Sequence, residues 1–97
     1  MKLPLKKKIL LQRVVAYAER MSAETRVQRV SAEMLKQVAL LGGKRVLEST
    51  LRRIMSNTPD VSKGLRELCS GGELLRTGSG GRLSPFMYSV NTVLYVV

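Results

Sequence analysis

The chain has no histidine, one cysteine and few aromatic residues, and each shortage closes off a class of chemistry. Without histidine no Ser/His or Cys/His catalytic pair can form, the commonest general base is missing, and the usual zinc ligand sets cannot be assembled. The lone cysteine, Cys69, makes no internal disulfide; it falls on the apolar stripe of a helix and reads as a small core residue. Phe86 and three tyrosines are the only aromatics, so the core has to be aliphatic and single-stranded nucleic acid would find little to stack on. No phosphate-binding loop of the GxxxxGK-Ser/Thr type occurs, and the Gly-Ser-Gly-Gly run at 78–81 is not followed by a helix. The seven carboxylates are scattered. Catalytic residues, metal ligands and cofactors are therefore all expected to be none.

Long apolar runs are also missing. A membrane span needs roughly 18 or more apolar residues, and the first apolar stretch, in MKLPLKKKILLQRVVAYA, is broken by Gln12 and Arg13. That basic start has the look of a signal peptide or an organelle-targeting segment. Glu19 and the fit of the segment as a core helix count against both, so the expected address is the cytoplasm and no membrane partner is expected.

What the chain has in excess is positive charge. Seventeen Lys and Arg stand against seven Asp and Glu, a formal net charge of +10, and an imbalance of this size is most simply explained by a polyanionic partner. Ninety-seven residues suit one domain, 1–97, with one core drawn from the 44% of hydrophobic residues.

Periodicity predicts an α+β fold, mainly helical. Leu5, Ile9, Leu10, Val14, Tyr17, Ala18 and Met21 recur at helical spacing and predict a helix over 5–21. Ser31 offers a cap for a second helix over 32–41, with Met34, Leu35, Val38, Ala39 and Leu41 as its buried stripe and Gly42-Gly43 as its stop. A third helix is expected over 44–56, with Leu47, Leu51, Ile54 and Met55 facing one way. The short β-branched run at 26–30 is compatible with a third strand beside 86–90.

The segment from Thr58 to Val90 carries most of the information. Thr58 is placed to cap a helix over 59–70, Pro59 suits its first position, and Asp60 complements the positive end of its dipole. Val61, Leu65, Leu68 and Cys69 form the inner stripe, which turns Ser62, Lys63, Arg66 and Ser70 outward, and Gly71-Gly72 ends the helix. Two strands follow, at 73–77 and 86–90, joined by the glycine-rich loop 78–85.

This order, with SKGLRELCSGGELLRTGSGG leading into a hairpin that closes on PFMYSV, resembles the C-terminal half of winged helix-turn-helix domains of transcription regulators. The resemblance covers about a third of the chain. It implies that the 59–70 helix enters the major groove of duplex DNA while the 73–90 hairpin, the wing, lies along the backbone or in the minor groove. Carried over by position, it implies base or phosphate contacts from Thr58, Ser62, Lys63 and Arg66. Arg76, Arg82, Lys44 and Arg45 would then hold the backbone. Four helices are expected here where the family commonly has three, which leaves the 44–56 helix as a rival for the groove. A small stand-alone regulator of phage or mobile-element type is the expected setting. Two other classes fit the same composition: a protein-docking module within a larger assembly, and an RNA-binding protein. The uncharged finish, Asn91–Val97, is expected to be covered by the first helix or by a second copy of the chain, the latter giving a homodimer.

Overall fold

In the computed structural model, which describes residues 4–21, 23–42, 44–56 and 58–95, four helices pack against a three-stranded antiparallel sheet. The elements run α1 (Leu5–Arg20), α2 (Arg26–Leu40), β1 (Val46–Leu47), α3 (Glu48–Ile54), α4 (Pro59–Ser70), β2 (Leu74–Thr77) and β3 (Met87–Val90). A 3-10 turn, Thr92–Tyr95, follows. The fold is α+β and mainly helical, as the periodicity predicts.

The second helix starts six residues earlier than expected, and no strand forms at 26–30. Thr25 and Gln28 explain the difference. The Thr25 hydroxyl accepts from the Gln28 amide at 3.1 Å, while Gln28 Oε1 accepts from the Thr25 amide at 3.1 Å, a reciprocal capping box. With the helix nucleated there, Val27 and Val30 fall three residues apart on the stripe that continues through Met34, Leu35 and Val38. Ser31, expected as a cap, is instead buried in mid-helix, and Leu41 is exposed.

The third strand lies at Val46–Leu47, inside the segment expected to be one helix over 44–56. Val46 pairs with Tyr88 and Leu47 with Met87, giving the sheet order β1-β3-β2. The Glu48 amide then donates to the Phe86 carbonyl at 3.2 Å, so pairing with β3 holds the chain extended until Glu48 opens α3. Of the apolar residues assigned to that helix, Leu51 is fully buried while Leu47 and Ile54 are exposed. Ser56, at φ +68, ends it.

α2 is the central element, packing against α1 on one side and α4 on the other. Gly64 makes the second contact close: a Cβ there would come within 2.6 Å of Met34 Cε and 3.0 Å of Ser31 Oγ. Val14, Met34, Leu35, Val38, Leu51, Val61, Leu68 and Leu74 form the aliphatic centre of the core. On α1 the buried residues are Leu11, Val14 and Ala18, whereas Leu5, Ile9 and Tyr17 from the expected stripe stay exposed.

The end of the chain forms no strand. Thr92–Tyr95 coils against α1, where Arg13 Nη1 donates to the Tyr95 carbonyl at 3.2 Å and the Tyr17 and Tyr95 rings meet edge-on at 5.6 Å. The first of the two expected covers is therefore present for Tyr95, while Val93 and Leu94 remain exposed. The expectation for 91–97 extends to Val96 and Val97, which lie outside the described residues.

Candidate nucleic-acid interface

α4 is built by its two ends. Pro59 occupies its first turn, where no intrahelical N–H is lost, and the Thr58 carbonyl accepts from the Val61 amide at 3.0 Å. The Thr58 side chain, expected as the cap, makes no capping hydrogen bond and is exposed. At the other end Gly72, at φ +78, takes the left-handed stop. The Glu73 amide returns to the Leu68 carbonyl at 3.0 Å and the Gly72 amide to the Cys69 carbonyl at 3.2 Å, closing a Schellman motif. Only residues 71–73 separate α4 from β2.

Val61, Gly64, Leu65 and Leu68 face the core, which leaves Lys63 and Arg66 exposed three residues apart on the outer face. Ser62 departs from expectation: it is half-buried, and its hydroxyl accepts from Arg52 Nη2 at 2.7 Å. The reason is that α3 presents Arg52 to that side of α4. Arg52 Nε in turn lies 3.8 Å from Glu48 Oε2, and Glu48 Oε1 accepts from the Tyr88 hydroxyl at 2.9 Å. A polar chain thus runs from β3 through α3 to α4. Of this chain the Glu48/Arg52 pair is visible in the sequence as an i, i+4 spacing; the links to Tyr88 and Ser62 cross between elements and have no local signal.

Ser62, Arg66 and Arg76 line one cleft of about 170 Å³ between α4 and β2, together with Glu48, Leu65, Cys69 and Tyr88. The Arg76 guanidinium sits 4.5 Å over the Phe86 ring, a cation–π contact that holds it above the sheet. Burial raises the Cys69 thiol above its ordinary value, with the Arg76 charge acting against the rise. Tyr88 is pushed up to about 12, first by burial and then by its bond to Glu48. Lys44, Arg45, Lys63, Thr58 and Arg82 lie outside this cleft, all exposed.

The wing is more ordered than a glycine-rich loop suggests. Ser79 and Gly80 amides both donate to the Ser84 carbonyl, at 3.1 and 2.9 Å, and the Ser84 amide donates to Gly81 at 3.2 Å. Gly78, at φ +92, permits this: a Cβ there would lie 2.2 Å from the Pro85 carbonyl oxygen. Arg82 and Leu83 occupy the tip, Leu83 being 98% exposed.

Ion pairing separates these cations from the rest. Among the described residues the pairs are Arg26 with Asp60, Lys36 with Glu19 and Arg52 with Glu48. Lys44, Arg45, Lys63, Arg66, Arg76 and Arg82 take part in none of them. Among the same residues no group of His, Cys, Asp or Glu could hold a metal ion, and no helix is long and apolar enough to cross a membrane. Comparison with known protein families, with characterised proteins and with solved structures returned no match.

Proposed function

We propose that the chain is a cytoplasmic, sequence-specific duplex-DNA-binding domain of the winged helix-turn-helix class, serving transcription regulation. α4 enters the major groove with Lys63 and Arg66, while Arg76 and Arg82 on the wing and Lys44 and Arg45 before β1 hold the backbone. The observation that carries this reading is the pair of exposed, unpaired cations on α4, continued by Arg76 across a cleft shared with Arg66. An arginine bidentate to guanine contributes about 1–3 kcal/mol of discrimination against a wrong base.

The order of elements supports the same reading. From α2 onward the chain runs helix, strand, helix, helix, strand, strand, which supplies the three helices and three-stranded sheet that the resemblance implies. α1 is then the additional helix. This arrangement also favours α4 over α3 as the reader: α3 has seven residues, and its Arg52 is engaged by Glu48 and Ser62. Ser62 acts here by positioning, since its hydroxyl is held by Arg52.

Selection of bound sequences from random duplexes at near-physiological salt, followed by the Lys63→Ala/Arg66→Ala double variant on the enriched site, tests the proposal. One enriched motif, lost in the double variant while circular dichroism and oligomeric state persist, is the expected result. Equal binding by the double variant, or preference for single-stranded RNA at matched salt, overturns it. The exposed Val93 and Leu94 favour a second reading, in which this uncharged finish docks a protein or a second copy of the chain. Its signature would be association that depends on those two residues and is indifferent to Lys63 and Arg66.

A further inference from the structure

α1 and α4 flank α2 and leave a valley whose floor is α2, and here the chain's charge logic reverses. The valley is an open pocket of about 420 Å³, within the roughly 300–1,000 Å³ of small-molecule sites. Tyr17 and Arg20 of α1 line one wall, Glu67 and Leu68 of α4 the other, with Glu73 beyond the helix end and Ser31 on the floor. In a protein of net charge +10, two of seven carboxylates meet in this one pocket, and neither has an ion pair among the described residues. Burial raises the Glu73 carboxyl above its ordinary value, an unfavourable condition for the charged form that a nearby cation would relieve.

The floor points to a ligand independently. Ser31 is 2% exposed, lines the pocket, and its hydroxyl has no hydrogen-bond partner. Among the described residues the other such buried atom is the Tyr95 hydroxyl, whose ring packs on Tyr17 and which feels the Glu73 charge, so both flank the same pocket. An unmet buried hydroxyl costs about 1–3 kcal/mol, and two of them around one opening mark a place where a polar guest is missing.

We propose that this pocket binds a small zwitterion of the free amino acid class. Its ammonium lies between Glu67 and Glu73, its carboxylate meets Arg20, and its side chain crosses Leu68 and Tyr17 so that a polar end reaches Ser31. The lining fits this class better than a simple amine or a simple acid, because each leaves a charge of one sign in the lining unmet. The proposal is independent of the DNA reading, since it uses none of the cations assigned to the duplex.

The test is titration of the intact protein with L-glutamine, followed by thermal melting and amide NMR, beside two truncated probes. γ-Aminobutyramide lacks the carboxylate and glutaramic acid lacks the ammonium. Saturable shifts centred on Ser31 and Leu68 are expected with glutamine, and affinities weaker by about tenfold or more for each truncated probe. Glu67→Gln with Glu73→Gln, and Arg20→Gln alone, should each weaken glutamine by a similar factor. Ser31→Ala keeps the fold intact or raises its melting point by removing the unmet hydroxyl, and it loses glutamine affinity. Absence of saturable shifts, shifts mapping elsewhere, or a truncated probe binding as well as glutamine overturns the proposal.

Discussion

Tyr88 shows how much one side chain can join. Its hydroxyl donates to Glu48, which is paired with Arg52, which donates to Ser62, so a residue of the middle strand sets the position of the outer face of α4. The neutral phenol is the form the fold favours: Tyr88 and Tyr95 are both pushed from 10.0 up to about 12, chiefly by burial. The folded chain therefore holds these protons more tightly than the unfolded chain. This contribution is fully present below the unfolded value near 10.0 and is lost as pH rises toward about 12. Urea midpoints measured across that interval should fall, and Tyr88→Phe should make the fall shallower. An equally steep fall in the variant would mean that Tyr88 carries no share of it.

The elements were legible to different degrees, for physical reasons. α4 declares itself because its inner stripe, Pro59 and the two glycines agree, and the hairpin follows because Gly78 to Gly81 leave little else for that stretch to do. The outward placement of Lys63 and Arg66 follows from the same periodicity. Ser62 was not legible, because its partner Arg52 belongs to another helix. Nor was β1, since two residues have no pattern of their own and are extended because β3 pairs with them. The start of α2 could have been found: Thr25-x-x-Gln28 is a capping-box signature, outweighed in the reading by the strand-like alternation of Arg26 to Val30. Thr25→Ala should cost about 1 kcal/mol of stability by removing that cap, read as a lower urea midpoint with unchanged slope. An unchanged midpoint would show that packing alone nucleates α2.

For the whole molecule the governing quantity is charge. A net +10 spread over one domain repels itself, and six cations on and around α4, the wing and β1 lie outside every ion pair described above. If about five of them each neutralise a phosphate, log K for duplex binding should fall with log salt at a slope of roughly −4.5. Titrations at several salt concentrations give this number directly. A slope near zero would remove the duplex as partner whatever the fate of any one side chain. Lys63→Ala should reduce the slope by about one, since a single released counterion is at stake.

The short tie between α4 and β2 has a mechanical consequence. Three residues bonded back into the helix end join the two, and the Tyr88-to-Ser62 chain braces them again through α3, so helix and ribbon keep a set angle. The pair behaves as a caliper with a locked hinge. A duplex held by it must present groove and flanking strand at that spacing or bend until it does, and sequences differ in how cheaply they bend. Selectivity would then extend to base steps that no side chain touches.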